Sequence, residues 1–177
     1  SRADYGLLKP LLEEIKLSKK IELKLIETGS HLSKIHGETF KDIKKDGFKI
    51  EKKININTKS SNSLSLTKSM SKTMVGIAEA FTSLKPDLVL ILGDRYEILS
   101  VATTAMMFRI PIAHLHGGEA TRGLIDEAIR HSITKMSHLH FVATDEYKKR
   151  VIQLGEEKKR VFQVGAVGLD SIKSLKL

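Results

Sequence analysis

Apolar positions along the chain switch repeatedly between helical spacing and short continuous or alternating runs. From Ala3 to Lys20, Leu7, Leu8, Leu11, Leu12 and Ile15 recur at helical spacing, with Pro10 tolerable in an early turn. Residues 21–28 read as a strand closed by Gly29. A second helix is predicted over 32–45, weakened by Gly37 and ending near Asp46-Gly47. Residues 48–56 alternate as a strand, and 57–63 form a polar loop. Residues 64–84 make a long helix carrying Leu66, Met70, Met74, Ile77 and Phe81 on one face. The run 87–92 reads as a fully buried strand. Helices then follow at 97–108, 126–136 and 145–154, strands at 111–115, 138–143 and 160–164, and the tail from Gly168 opens another helix.

Strand and helix alternate throughout. That order predicts an α/β fold of parallel strands joined by right-handed crossovers, a Rossmann-like doubly wound sheet with helices on both faces. No internal repeat or interior boundary interrupts residues 1–177, so one domain is expected. Apolar residues at 41% can fill a core, and 29% charged residues suit its surface. The absence of cysteine excludes disulfides, thiolate metal sites and a thiol nucleophile. No stretch spans a bilayer and no signal pattern opens the chain, so a cytoplasmic protein without a membrane partner is expected. The opening Ser1-Arg2-Ala3-Asp4 lacks a Met, and a natural start is expected upstream.

The net charge of +9 admits two readings, a nucleic-acid surface or a field that draws a phosphorylated small molecule. The lysines are dispersed as Lys44-Lys45, Lys52-Lys53, Lys148-Lys149 and Lys158-Lys159, without interleaved aromatics. Solvated helix faces account for them, and no nucleic-acid partner is expected.

The candidate chemistry collects where predicted strands end. Gly93 is followed by Asp94, Arg95 and Glu97. The next strand runs into His116-Gly117-Gly118-Glu119, and an earlier one into Gly29-Ser30-His31. Parallel sheets bind ligands beyond their carboxyl ends, near the topological switch point. Plainer readings compete: Asp94 as a helix cap, Gly117-Gly118 as a turn, and His31, His36, His138 and His140 as structural histidines. On the predicted helix, Asp126 neighbours Arg130 and Glu127 neighbours His131 at i, i+4. No phosphate-binding P-loop and no GxGxxG occurs. His114-Leu115-His116 resembles a metal pair but lacks a third ligand at suitable spacing, so neither metal nor cofactor is expected.

Arg2-Ala3-Asp4-Tyr5-Gly6, Thr28-Gly29-Ser30-His31-Leu32, Gly93-Asp94-Arg95, His114-Leu115-His116-Gly117-Gly118-Glu119 and the run from Ile125 to Lys135 occur in that order. Together they resemble the hydrolysing UDP-N-acetylglucosamine 2-epimerases of bacterial sialic-acid and legionaminic-acid synthesis, across essentially the whole chain. The resemblance implies a glycosyltransferase-B-like fold of two domains with the active site between them. This chain then corresponds to the amino-terminal domain, with the first strand and the carboxy-terminal domain outside it. By itself it is expected to show little or no turnover, and the full-length protein to be a homo-oligomer.

The implied reaction converts UDP-GlcNAc, or a UDP-linked 2,4-diacetamido-trideoxyhexose, and water to the free 2-epimeric sugar and UDP. UDP leaves by anti elimination to a glycal; water then adds while C2 is protonated from the other face. Carboxylates can stabilise the positive charge that develops at the anomeric carbon, and inversion requires proton-transfer groups on both faces. By resemblance, Asp94 and Asp126 take catalytic positions. Many relatives carry Glu where this chain has His116, which leaves His116 or Glu119 as the remaining acid/base group. Arg2 is implied near the nucleotide phosphates, and Arg95, His31 and Arg130 near the substrate. The alternatives are a non-hydrolysing epimerase that returns UDP to C1, and a non-catalytic basic module that binds nucleic acid.

Overall fold

A computed structural model describes residues 2–29, 40–56, 62–121 and 123–173. The elements in chain order are α1 (Arg2–Leu17), β1 (Leu25–Thr28), α2 (Phe40–Lys45), β2 (Ile50–Ile54), α3 (Ser63–Leu84), β3 (Val89–Leu92) and α4 (Tyr96–Met107). They continue as β4 (Ile112–Leu115), α5 (Ile125–Met136), β5 (Leu139–Val142), α6 (Asp145–Gln153), β6 (Val161–Gln163) and α7 (Gly168–Lys173), with a 3-10 turn at Lys158–Arg160. No described helix is long and apolar enough to cross a membrane. The contacts fall into two compact units, residues 1–73 with 167–177, and residues 74–166.

In the first unit β1 and β2 pair in parallel, from Leu25 opposite Ile50 to Thr28 opposite Ile54. Their core is Tyr5, Leu12, Ile43 and Phe48, flanked by Leu8, Leu23, Leu25 and Ile50. Tyr5 meets Phe48 edge to face, with ring centroids 6.4 Å apart. Its hydroxyl donates to Asp46 Oδ2 at 2.6 Å, so the ring buries its body and still satisfies its polar end. Pro10 lies inside α1 and beyond its first turn. The predicted helix over 32–45 is described only from Phe40 onward.

The second unit holds a four-stranded parallel sheet in sequential order, β3-β4-β5-β6. Val89 to Leu92 pair with Ile112 to Leu115, and His114 with His140. The helix α4, between β3 and β4, packs on α5, between β4 and β5. The central strand β4 is buried at all four positions. Its neighbour β3 is the outer strand of the four and departs from the fully buried reading: Val89 and Ile91 are buried, whereas Leu90 is 36% exposed. A further cluster, Val142, Val151 and Val161, joins α6 to β5 and β6.

The buried line of α3 also departs from the apolar face read in the sequence. Ser69, Thr73, Ile77, Ala80 and Phe81 are buried, while Leu66, Met70 and Met74 are only partly so. Small hydroxyls can sit at close approaches when their polar atoms are satisfied within the helix. Thr73 Oγ1 donates to the Ser69 carbonyl at 2.9 Å.

Ile112 is wholly buried in the central strand. Ile112→Ala is expected to cost about 2–5 kcal/mol through lost transfer energy and the cavity left behind. Urea denaturation, with the midpoint falling at unchanged slope, checks this.

Candidate active site

All four strands of the second unit run the same way, so their carboxyl ends share one edge. At the end of β3, Gly93 takes φ +77° and turns the chain, a conformation that a Cβ would strain. Asp94 follows. The N-cap of α4 is Arg95, and no side chain caps that helix. The Asp94 carboxylate instead accepts from Arg130 Nη2. The capping reading of Asp94 therefore gives way to an ion pair across the sheet edge.

Arg130 lies in the second turn of α5 and is 4% exposed. Its Nη2 also donates to Thr121 Oγ1 at 2.8 Å, and its Nη1 donates to the Glu119 carbonyl at 3.0 Å. Burial lowers the guanidinium pKa, yet an arginine remains charged at neutral pH. A buried cation needs such partners, because an unpaired one costs several kcal/mol. One side chain thus ties the residue after β3 to the loop after β4.

That loop is tightly formed. His116 takes φ +63°, and its N–H donates to the Phe141 carbonyl at 2.9 Å. Its Nδ1 lies 2.7 Å from Glu119 Oε1, while Nε2 is shielded from solvent and has no partner among the described residues. A Cβ on Gly117 would stand 3.1 Å from His114 Nδ1 and 3.3 Å from Thr134 Oγ1. Gly118 has φ +77°, and a Cβ there would collide with the Tyr147 carbonyl oxygen and lie 2.9 Å from Val151 Cγ2. The Gly118 carbonyl accepts from Arg150. The glycine pair is more than a flexible turn: it lets the loop press against α5 and α6.

Beneath it, His114 is fully buried, and its Nε2 donates to the Gly93 carbonyl at 2.8 Å. Thr134 Oγ1 lies 3.4 Å from its Nδ1 and donates to the Arg130 carbonyl at 3.0 Å. Burial pushes the His114 pKa down to about 4, so the ring is neutral at physiological pH. His114, Thr134 and Arg130 enclose the turn that presents Asp94.

The fold therefore brings Asp94, His116, Glu119 and Arg130 into one hydrogen-bonded cluster. Asp126 stands in the first turn of α5, partly exposed, and has no hydrogen bond or ion pair among the described residues. The Asp126–Arg130 pair suggested by helical spacing does not form, because Asp94 and the Glu119 loop occupy the guanidinium. The companion pair does form: His131 Nε2 lies 3.7 Å from Glu127 Oε1. Glu127 also accepts from the Thr121 N–H at 2.8 Å. Arg95 donates to the buried carboxylate of Glu97 at 2.7 Å. Arg2 opens α1, but its side chain lies outside the described residues, as does His31.

Thr121, Thr134 and Arg150 hold the cluster yet were not singled out by the sequence. Thr134 lies within a quoted motif, whereas Arg150 carries only a helical i, i+4 relation to Glu146. His140 is buried with Nε2 3.1 Å from Glu156 Oε2, a structural role. Among the described residues no group of three or more His, Cys, Asp or Glu could hold a metal ion.

Residues 13–177 match the family model described as UDP-N-acetylglucosamine 2-epimerase. The chain is 52% identical over 175 residues to the GDP/UDP-N,N'-diacetylbacillosamine 2-epimerase (hydrolyzing) of Campylobacter jejuni, covering 99% of this chain and 45% of that protein. It is 44% identical over 176 residues to the UDP-N,N'-diacetylbacillosamine 2-epimerase (hydrolyzing) of Legionella pneumophila, covering 99% of this chain and 46% of that one. The chain thus spans about half the length of the curated relatives it matches. The crystal structure of the UDP-GlcNAc 2-epimerase from Neisseria meningitidis bound to UDP-GlcNAc superposes with a TM-score of 0.85 at 20% identity, covering 98% of this chain and 47% of that one. That likeness establishes the fold expected from the sequence, an α/β Rossmann-like half of a glycosyltransferase-B-like architecture.

His114 generates a pH dependence. The unfolded imidazole takes up a proton below about pH 6.5, whereas the folded one does so only near 4. Its contribution to stability is present above pH 6.5 and is lost as pH falls towards 4, by at most about 3 kcal/mol. Burial lowers the His140 pKa as well, which adds a loss of the same sign. Denaturation midpoints across pH 4–7 are expected to fall with acid, and His114→Gln, which keeps an N–H donor, to flatten that slope.

Proposed function

Because the chain belongs to the UDP-N-acetylglucosamine 2-epimerase family, we propose that it forms part of a hydrolysing nucleotide-sugar 2-epimerase. The substrate proposed is a UDP-linked 2,4-diacetamido-trideoxyhexose, and the products are UDP and the free 2-epimeric sugar. Two relatives named as hydrolysing diacetylbacillosamine 2-epimerases, matched over 99% of this chain, support that choice over plain UDP-GlcNAc and over the non-hydrolysing outcome.

The observation that carries the reading is the cluster itself: a carboxylate, an imidazole–carboxylate pair and a buried guanidinium at one carboxyl edge. The C2–H bond of the sugar adjoins no carbonyl and is barely acidic. Elimination must therefore be led by cleavage of the anomeric C–O bond, with positive charge growing on C1 and the ring oxygen. A carboxylate already oriented by Arg130 stabilises that charge without reorganising, the condition under which electrostatic stabilisation is largest. As C1–O breaks, its electron pair leaves with UDP, the C2–H pair becomes the C1=C2 bond, and a protein base takes the proton. A proton from a protein acid then reaches C2 from the opposite face while water oxygen bonds to C1 and yields its proton to a protein base. Asp126, at the start of α5 and without an ion pair among the described residues, is the proposed group for that second face. Arg2 and His31 are proposed on the nucleotide and sugar by resemblance.

Proton NMR of the full-length enzyme in deuterium oxide tests this. The expected products are UDP and a free 2-epimer carrying deuterium at C2; an equilibrium of two UDP-sugars would refute hydrolysis. Asp94→Asn is expected to lower kcat by at least about 10²–10³-fold, with a folded circular-dichroism spectrum and a melt shifted down because Arg130 loses its counter-charge, and a near-parental rate would remove Asp94 from the mechanism.

A further inference from the structure

Resting on that 2-epimerase reading, we infer that His116 takes the C2 proton through Nε2 and that Glu119 is the positioning residue that aims it. Asp94 serves as a fixed anion.

The division follows from who holds whom. Asp94 is committed to Arg130, and a carboxylate bonded to a guanidinium is an acceptor with little call for a proton. Glu119 is committed to His116, at 2.7 Å from Nδ1. A carboxylate can only accept, so Nδ1 must carry the hydrogen. When the ring is neutral, the free lone pair is then fixed on Nε2. This is the arrangement in which a carboxylate selects the tautomer of a general base and stabilises the imidazolium that forms.

Two further observations point the same way. Among the described residues Nε2 is a buried acceptor with no partner, and leaving such a group unmade costs about 1–3 kcal/mol. Shielding keeps water from occupying it, and entry of the sugar has to uncover it. His116 also holds φ +63°, a conformation that costs a non-glycine residue on the order of 1 kcal/mol. Asparagine or glycine would hold that turn more readily, so the imidazole itself is what the position retains.

Charged neighbours on every packed element fit the assignment. Glu119 shares the loop. Arg130 reaches from α5 to the Glu119 carbonyl and to Asp94, beyond β3. Arg150 reaches from α6 to the Gly118 carbonyl. His114 on β4 is held neutral by burial. Among the described residues Glu119 is the counter-charge paired with the His116 ring, balancing the proton the ring gains when C2–H breaks and the pair forms C1=C2.

His116→Asn in the full-length enzyme is the direct test. Asparagine tolerates the left-handed backbone, and its amide can still donate to Glu119, so folding is preserved. The expected result is a kcat about 10²–10⁴-fold lower with KM within about threefold. The acid limb of kcat/KM that protonation of the base produces in the parent is expected to disappear. His116→Glu restores part of the rate, with its acid limb about two pH units lower. Glu119→Gln costs about tenfold and moves the limb to lower pH. A His116→Asn enzyme with a rate within threefold of the parent, or with the parental acid limb, overturns the inference and leaves the epimerase reading standing. A parent that releases neither UDP nor free sugar overturns the epimerase reading first, and this assignment with it.

Discussion

A buried guanidinium organises the second unit. Arg130 is almost wholly enclosed, and a cation in that position is stable only while its donors are matched. The partners it finds come from three places in the chain: the Asp94 carboxylate after β3, the Glu119 carbonyl after β4 and the Thr121 hydroxyl before α5. Satisfying one charge therefore fixes the relative positions of two loops. The constraint is electrostatic in origin and geometric in effect.

The backbone beneath that charge is arranged to allow it. Parallel strands bring Gly93 and His116 to one edge, and both take left-handed dihedrals that lift the following residues away from the sheet. His114 locks the first turn by donating to the Gly93 carbonyl. The absence of a Cβ at Gly118 lets the second loop approach the Tyr147 carbonyl more closely than a side chain would permit, and at Gly117 it eases a tight approach to His114 and Thr134. Close packing and polar satisfaction thus serve one end, a preorganised group of charges whose orientation needs no rearrangement when charge develops on a substrate.

Local pattern made much of the fold legible. Every α-helix and strand in the described residues overlaps an element read from the sequence, because secondary structure of this length is set largely by side chains a few positions apart. Two readings failed for one reason. The buried line of α3 runs through Ser69 and Thr73 instead of Leu66, Met70 and Met74, and Leu90 of β3 is partly exposed. In each case hydropathy reports what a residue prefers, while burial depends on what packs against it.

The sequence by itself determined the order of elements, the parallel sheet, and the placing of Asp94, His116 and Glu119 at strand ends, since these follow from periodicity and from five motifs in register. Only the tertiary structure decided which charges pair. Helical spacing offered Asp126 to Arg130, but Asp94, 36 positions away in the chain, took it. Likewise no local signal links Arg150 to Gly118. An ion pair goes to the partner that can share its burial, and burial is a property of the folded surroundings, to which residues distant in sequence contribute as much as neighbours do.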